Sequence, residues 1–171
     1  MRIERVTAAA EVHRAADLFD APPLPAATAR FLSDPSHHLL FAYDDVGRPI
    51  GMISGVETTH PDKGTEMLVY ELGVAPAARL QGVGKALVTA LADVARKNGC
   101  YGRWVATETD NAAAVATYRS AGALEETLFM LLSWDLLMDG DDQAESWDGS
   151  TTGRVQVEPA ERPGRSETGQ T

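Results

Sequence analysis

The residues best suited to chemistry fall between positions 71 and 98, where an acid in an apolar run leads into a glycine loop and then a helix. Arg79-Leu80-Gln81-Gly82-Val83-Gly84-Lys85 carries two glycines and two cations. Glycines let a backbone approach a ligand closely, and a helix N-terminus presents unpaired N–H groups to an anion. This spacing predicts a phosphate site, although an ordinary strand-to-helix turn has the same composition. Two familiar phosphate loops do not fit. A P-loop ending at Gly84-Lys85 would need glycine at 79 and a hydroxyl at 86, which are Arg79 and Ala86. A dinucleotide fingerprint would need glycine at 87, which is Leu87. Upstream, Glu71 sits in an apolar strand, where a carboxylate is costly to bury unless it has a task.

The elements that must hold these residues follow from pattern. Residues 67–74 are apolar and β-branched and predict a buried strand, stopped by Pro76. Ala86, Leu87, Ala90, Leu91, Val94 and Ala95 recur at helical spacing, and Gly99 stands where a left-handed C′ residue belongs. In chain order we expect a helix over 7–19 capped by Thr7, a helix over 26–32, strands at 39–43 and 50–57, and a loop at 58–64. The central strand and helix come next. Gly51 and Gly55 predict a bulge or a close approach. Residues 101–107 predict a further strand, Asp110-Asn111 cap a helix over 112–121 ended by Gly122, and 127–136 read as the last strand. The sum is an α+β domain with a mixed, mostly antiparallel sheet flanked by helices and a βαβ unit at its centre.

At 171 residues the chain is long enough for one domain with a real core. Its hydrophobic content of 44% and charged content of 23% are those of a soluble globular protein. No apolar stretch reaches the ~20 residues needed to span a bilayer, and residues 1–6 lack the apolar run of a signal peptide. With Cys100 the sole cysteine, no internal disulfide can form, and a cytoplasmic location is expected, the thiol itself buried and structural. Half of the net charge of −10 lies from Asp139 onward, where eight acids face three arginines. Residues 1–138 therefore read as the domain and 139–171 as an acidic, disordered tail, docking if at all through Trp147 or Val155-Gln156-Val157. An acidic body argues against a nucleic-acid partner. His13, His37, His38 and His60 show no metal-ligand spacing, so no metal is implied.

Two motifs resemble one known family. Arg79-x-x-Gly82-x-Gly84 resembles the acetyl-CoA pyrophosphate loop of the GNAT N-acetyltransferases. Asn111-x-x-Ala114-x-x-x-Tyr118-x-x-x-Gly122 resembles their second signature, in which a helix carries a tyrosine toward the CoA sulfur. The two occur in the right order around a strand of the right character. Taken alone, Tyr118 reads as a core aromatic on an alanine-rich helix. At finer grain, Tyr70-Glu-Leu-Gly-Val74, Val105-Ala-Thr-Glu108 and Glu125-Glu126 are similar to the aminoglycoside N-acetyltransferases that modify the 3-amine. The chain departs from them in carrying Glu for Asp at 71 and 108, and in a different loop at 60–66.

The resemblance implies an acetyl-CoA-dependent acetyl transfer to a primary amine, most specifically the 3-amine of an aminoglycoside or similar polycationic small molecule. A protein N-terminus, a lysine or another small-molecule amine is the alternative acceptor. An alkylammonium with a pKa near ~10 needs a proton acceptor before it attacks. Glu71 is the candidate base, directly or through a water. Backbone N–H groups of Leu72, Gly73 and Val74 would receive the thioester oxygen, and Tyr118 would protonate the leaving thiolate. Gln81, Gly82, Val83, Gly84 and Lys85 would bind pyrophosphate, with Arg79 adding charge. Asn111 has two open readings, a bond to the pantetheine arm or a helix cap. Glu108, Asp110 and Glu126 fit either further ammonium groups or a solvated acidic rim. His60 beside Asp62 fits either the acceptor site or an ordinary turn. A homodimer is expected.

Overall fold

Residues 39–43 are buried without interruption, so the strand that carries them must be covered on both faces. It is β2 (His37–Tyr43), second in a five-stranded sheet of order β1-β2-β3-β4-β5. The others are β1 (Arg2–Arg5), β3 (Pro49–His60), β4 (Gly64–Val74) and β5 (Gly102–Trp104). β1 to β4 run antiparallel and β5 joins β4 in parallel, the mixed sheet expected. The computed structural model describes residues 1–125. The expected strand at 127–136 and the tail at 139–171 lie outside them. Among the described residues no helix is long and apolar enough to cross a membrane.

Helices cover the two faces separately. On one lies α3 (Val83–Lys97), whose Val83, Leu87, Val88, Leu91 and Ala95 pack against Leu40, Ala42, Ile53, Met67 and Val69. Gly51 and Gly55 admit it. A Cβ at 51 would stand 2.9 Å from Val83 Cγ1, and one at 55 would stand 2.9 Å from Leu91 Cδ2. On the other face α1 (Ala9–Arg14), a 3₁₀ turn (Ala16–Leu18) and α2 (Pro25–Ser33), with Ala15 between the first two, supply Val12, Ala15, Leu18, Phe31 and Leu32 to Leu39, Phe41, Tyr43 and Met52. Helix α4 (Ala112–Ser120) follows β5 and packs on α3.

Several expectations are corrected. β1 carries three charges and no clear alternation, yet it pairs with β2, and Arg2 lies 5.1 Å over the Tyr43 ring. The predicted helix over 7–19 is α1 followed by the 3₁₀ turn. Ala8 rather than Thr7 precedes it, with no side-chain cap. The chain tightens there because the Leu18 backbone is drawn onto Gly73, as described below. The loop at 58–64 shrinks to three residues, 61–63, because Thr59 and Thr65 continue the ladder with hydroxyls 2.9 Å apart. The strand at 101–107 is only β5, since its pairing with β4 ends at Leu68 and Trp104.

The bulge expected near Gly55 falls opposite it. Ser54 pairs with Glu71 and Gly55 with Val69, leaving Tyr70 as the extra residue on β4. An inserted residue reverses the alternation of every side chain beyond it. Met67 and Val69 face α3, and past the bulge Leu72 and Val74 face it, while Glu71 and Gly73 turn to the opposite side.

Candidate active site

The bulge thus sets Glu71 on the face covered by α1 and α2. There Glu71 Oε1 accepts a hydrogen bond of 3.0 Å from the Asp20 backbone N–H. Burial raises its pKa above the usual carboxylate value, the Asp20 carboxylate raises it further, and the Asp20 N–H acts in the opposite direction. Among the described residues Glu71 has no cationic partner. A half-buried acid with a raised pKa and no counter-charge is suited to taking and releasing a proton.

β4 continues for six residues past its last pair with β5, from Val69 to Val74. Successive N–H groups of a strand point to alternate sides. Ala75 N–H reaches Ile50 O on the β3 side at 3.0 Å, so Gly73 N–H points there as well. Leu72 and Val74 N–H therefore point to the side from which β5 has departed. Among the described residues no strand pairs with this edge past Leu68, and two donors so oriented suit an oxygen that gains negative charge. Gly73, expected with them, instead pairs with Met52 of β3.

At the end of β4 a 3₁₀ turn (Pro76–Ala78) leads into the glycine loop. Arg79 Nε donates to Val74 O at 3.2 Å and Gln81 Nε2 to Ala77 O at 2.8 Å, which fold the loop against the strand end. Gly82 has φ +81° and nothing within 4 Å of where a Cβ would stand, so glycine is required by conformation and leaves open space. Leu80 is left-handed too, at φ +60°. The first intrahelical bond of α3 runs from Ala86 N–H to Gly82 O, and no side chain caps the helix. The N–H groups of Val83, Gly84 and Lys85 are therefore open to an anion, with the exposed Lys85 beside them. Gly84 has a second use. A Cβ there would lie 3.0 Å from the Thr117 methyl, so its absence lets α4 approach α3.

Helix α4 carries Tyr118, which packs half-buried against the α3 cluster, and burial raises its phenol pKa. A phenol held protonated can donate to a leaving group. Asn111 caps α4, its Oδ1 accepting from Ala114 N–H at 3.1 Å. Glu108 and Asp110 are exposed in the connection before it. Their carbonyls accept from Asn111 and Ala112 N–H, a turn that sequence reading of the acids did not anticipate. His60 pairs with Asp62 at the hairpin tip. Seven strand residues, roughly 23 Å at ~3.3 Å each, separate that tip from Glu71, so the structure does not bring His60 to the acid. Glu126 lies outside the described residues. Cys100 is partly buried and its thiol pKa is raised by that burial, which fits an inert thiol. Among the described residues no group of His, Cys, Asp or Glu could hold a metal. Sequence reading missed Asp20, whose contribution is a backbone N–H that no side-chain pattern reveals.

An uncapped helix entered through a left-handed glycine, a strand edge with outward N–H groups beside it and a half-buried acid on the opposite face suit transfer of a group from an anionic carrier. The chain belongs to the acetyltransferase (GNAT) family, which matches residues 7–123 and whose members use acetyl-CoA. It is 38% identical over 105 residues, 60% of its length, to the N-alpha-acetyltransferase RimI of Mycobacterium tuberculosis. That match spans 62% of the relative, so the chain covers about three fifths of it. In fold it is similar to an aminoglycoside acetyltransferase from an uncultured soil metagenomic sample, solved with sisomicin. The TM-score is 0.72 at 18% identity, covering 79% of this chain and 95% of that one. The aminoglycoside 6'-N-acetyltransferase of Acinetobacter haemolyticus gives a TM-score of 0.66 at 20% identity, covering 80% of this chain and 99% of that one.

Proposed function

We propose that the protein transfers acetyl from acetyl-CoA to a primary amine of a polycationic small molecule, specifically the 3-amine of an aminoglycoside. The observation that carries this reading is Glu71, a half-buried acid without a cationic partner among the described residues, set beside the edge of β4 that β5 leaves unpaired. Leu72 and Val74 N–H, the open first turn of α3 and Lys85 fit a ligand with a carbonyl at one end and phosphates at the other. When bound, acetyl-CoA supplies the activated thioester. Glu71 first pairs with the incoming ammonium and then takes its proton, directly or through a water. Leu72 and Val74 N–H stabilise the oxygen as charge grows on it. Tyr118 lies on the α3 face, across the sheet from Glu71, and gives its proton to the departing sulfur. Proton removal and proton donation thus belong to opposite faces, which supports direct attack without a covalent enzyme intermediate. Asp20, Glu108 and Asp110 add negative charge suited to further ammonium groups. The 3-amine preference rests on the likeness of residues 70–74 and 105–108 to enzymes of that regiochemistry. The protein is expected to act as a homodimer in the cytoplasm.

A second reading takes the α-amine of a protein as acceptor, and the 38% identity to a protein named N-alpha-acetyltransferase favours it. Thiol release from acetyl-CoA with sisomicin, a linear polyamine and a peptide bearing a free α-amine separates the two. Turnover with sisomicin, and mass-spectrometric acetylation at its 3-amine, supports the first. Turnover with the peptide alone replaces it by the second.

A further inference from the structure

Gly73 and Asp20 are joined by a feature that the reaction scheme above does not use. A Cβ built on Gly73 would lie 2.1 Å from the Leu18 carbonyl oxygen and 3.3 Å from its carbon. Backbone, rather than the end of a side chain, fills the place where a side chain would be. Leu18 is 8% exposed, and Phe19 packs edge-on against Phe41 at 6.3 Å, so both residues that lead into Asp20 are anchored in the core. Phe19 then adopts an extended backbone, φ −97° and ψ 154°, which delivers the next N–H, that of Asp20, to Glu71 Oε1.

We propose that residues 18–20 are a positioning strap for Glu71, the Leu18 carbonyl seated on Gly73 and the Asp20 N–H orienting the carboxylate. The side chain of Ser54, paired with Glu71 across β3, makes no hydrogen bond to the Glu71 carboxylate, so among the described residues the Asp20 N–H is the one donor to that carboxylate. The groups facing Glu71 are few. Among the described residues the strap brings the Asp20 carboxylate, β3 brings Ser54, and the β4 neighbours Tyr70, Leu72 and Gly73 bring no carboxylate, ammonium or guanidinium. The strap therefore acts on Glu71 through two separable features of one residue. The Asp20 N–H favours the ionised carboxylate and fixes its direction, while the Asp20 side chain disfavours ionisation. Gly73 is the condition for both, because any side chain there displaces the Leu18 carbonyl. This inference rests on Glu71 being the proton acceptor.

The test compares Asp20→Asn, which keeps the N–H and removes the charge, with Asp20→Pro, which removes both. The preceding residue suits proline, because Phe19 already has the extended conformation that a following proline demands. Two readouts are used, a ¹³C-NMR titration of the Glu71 carboxyl and the pH profile of acetyl transfer to whichever amine of the panel is turned over. Asp20→Asn should move the Glu71 titration to lower pH than in the native protein. Asp20→Pro should titrate at higher pH than Asp20→Asn. Its kcat should be lower than that of Asp20→Asn by about tenfold, with the KM for acetyl-CoA unchanged. Gly73→Ala should follow Asp20→Pro in direction, and the double variant should lose no more than either single one. If Asp20→Pro does not fold, Gly73→Ala against the native protein carries the same comparison. Coincident titrations and kcat for Asp20→Pro and Asp20→Asn, or additive losses in the double variant, overturn the strap. Full turnover in Glu71→Gln would instead overturn the base itself, a different failure from an inactive Glu71→Gln with an unmoved strap.

Discussion

Glu71→Gln should lower turnover and raise stability together. A primary alkylammonium with a pKa near ~10.4 is roughly 99.9% protonated at neutral pH, so transfer depends on a group that accepts its proton. Loss of a positioned base costs about 10²-fold or more in kcat, which is about 2.7 kcal/mol of transition-state stabilisation. Glutamine keeps an oxygen that accepts from the Asp20 N–H, so the loss falls on proton transfer and leaves acetyl-CoA affinity intact. The stability effect has the opposite sign. Burial raises the folded-state pKa of Glu71 above the ordinary value of 4.5, so the folded protein holds the ionised form less favourably than the unfolded chain does. Stability is therefore lost as pH rises from below 4.5 through the raised value, and the penalty persists at neutral pH. Glutamine carries no such penalty. The assays are thiol release at saturating amine and thermal unfolding at pH 7 and pH 4. Expected are a fall in kcat, a higher Tm at pH 7, and a smaller Tm difference at pH 4. Unchanged kcat would refute the base. A lower Tm at pH 7 would refute the reasoning from burial.

Tyr118→Phe keeps the ring packed on α3 and removes the proton. We expect a loss of about 10²-fold in kcat with little change in Tm, and native-like rates at every pH from 6 to 9 would end its role as the acid. Gly82→Ala places a Cβ at φ +81° with no neighbour to strike, so its cost is conformational, roughly 1–2 kcal/mol. Calorimetry should show weaker CoA binding, and unaltered affinity would mean that this conformation does not build the phosphate site. Leu91→Ala empties a fully buried position between α3 and β3 and should cost about 2–5 kcal/mol in urea unfolding. A cost below about 1 kcal/mol would mean that α3 does not pack as described.

The glycine loop, the α3 face and the Asn111 cap were legible because each is local. A left-handed glycine, a 3.6-residue period and an Asx side chain before a helix carry their structure in a few consecutive residues. Gly51 and Gly55 were legible as a close approach, but that α3 would fill it was not, since the contact spans some thirty residues of chain. β1 escaped because its pairing with β2, rather than its own charged sequence, makes it a strand. The face on which Glu71 lies escaped for a sharper reason. Alternation from Met67 and Val69 would place residue 71 with them, toward α3, and the bulge at Tyr70 reverses it. No turn residue marks the insertion, because the exposed Tyr70 looks like any strand aromatic.

That reversal has a chemical consequence. On the α3 face Glu71 would compete for space with Leu72 and the apolar cluster, where an ionised carboxylate is costly to bury. On the opposite face Asp20, two residues past the 3₁₀ turn, supplies a donor, and Gly73 leaves room for the Leu18 carbonyl that leads to it. The same insertion leaves Leu72 and Val74 with side chains toward α3 and N–H groups toward the open edge beside β5. One extra residue therefore sets the Glu71 carboxylate on one face and, a single strand position away, the proposed oxyanion donors on the strand edge. An amine approaching from the α1 and α2 side meets Glu71 first. In the proposed scheme a thioester entering from the α3 side would meet the N–H pair, with Tyr118 on the same side of the sheet. The two reactants need share only the strand edge between them, which is the geometry that direct transfer requires.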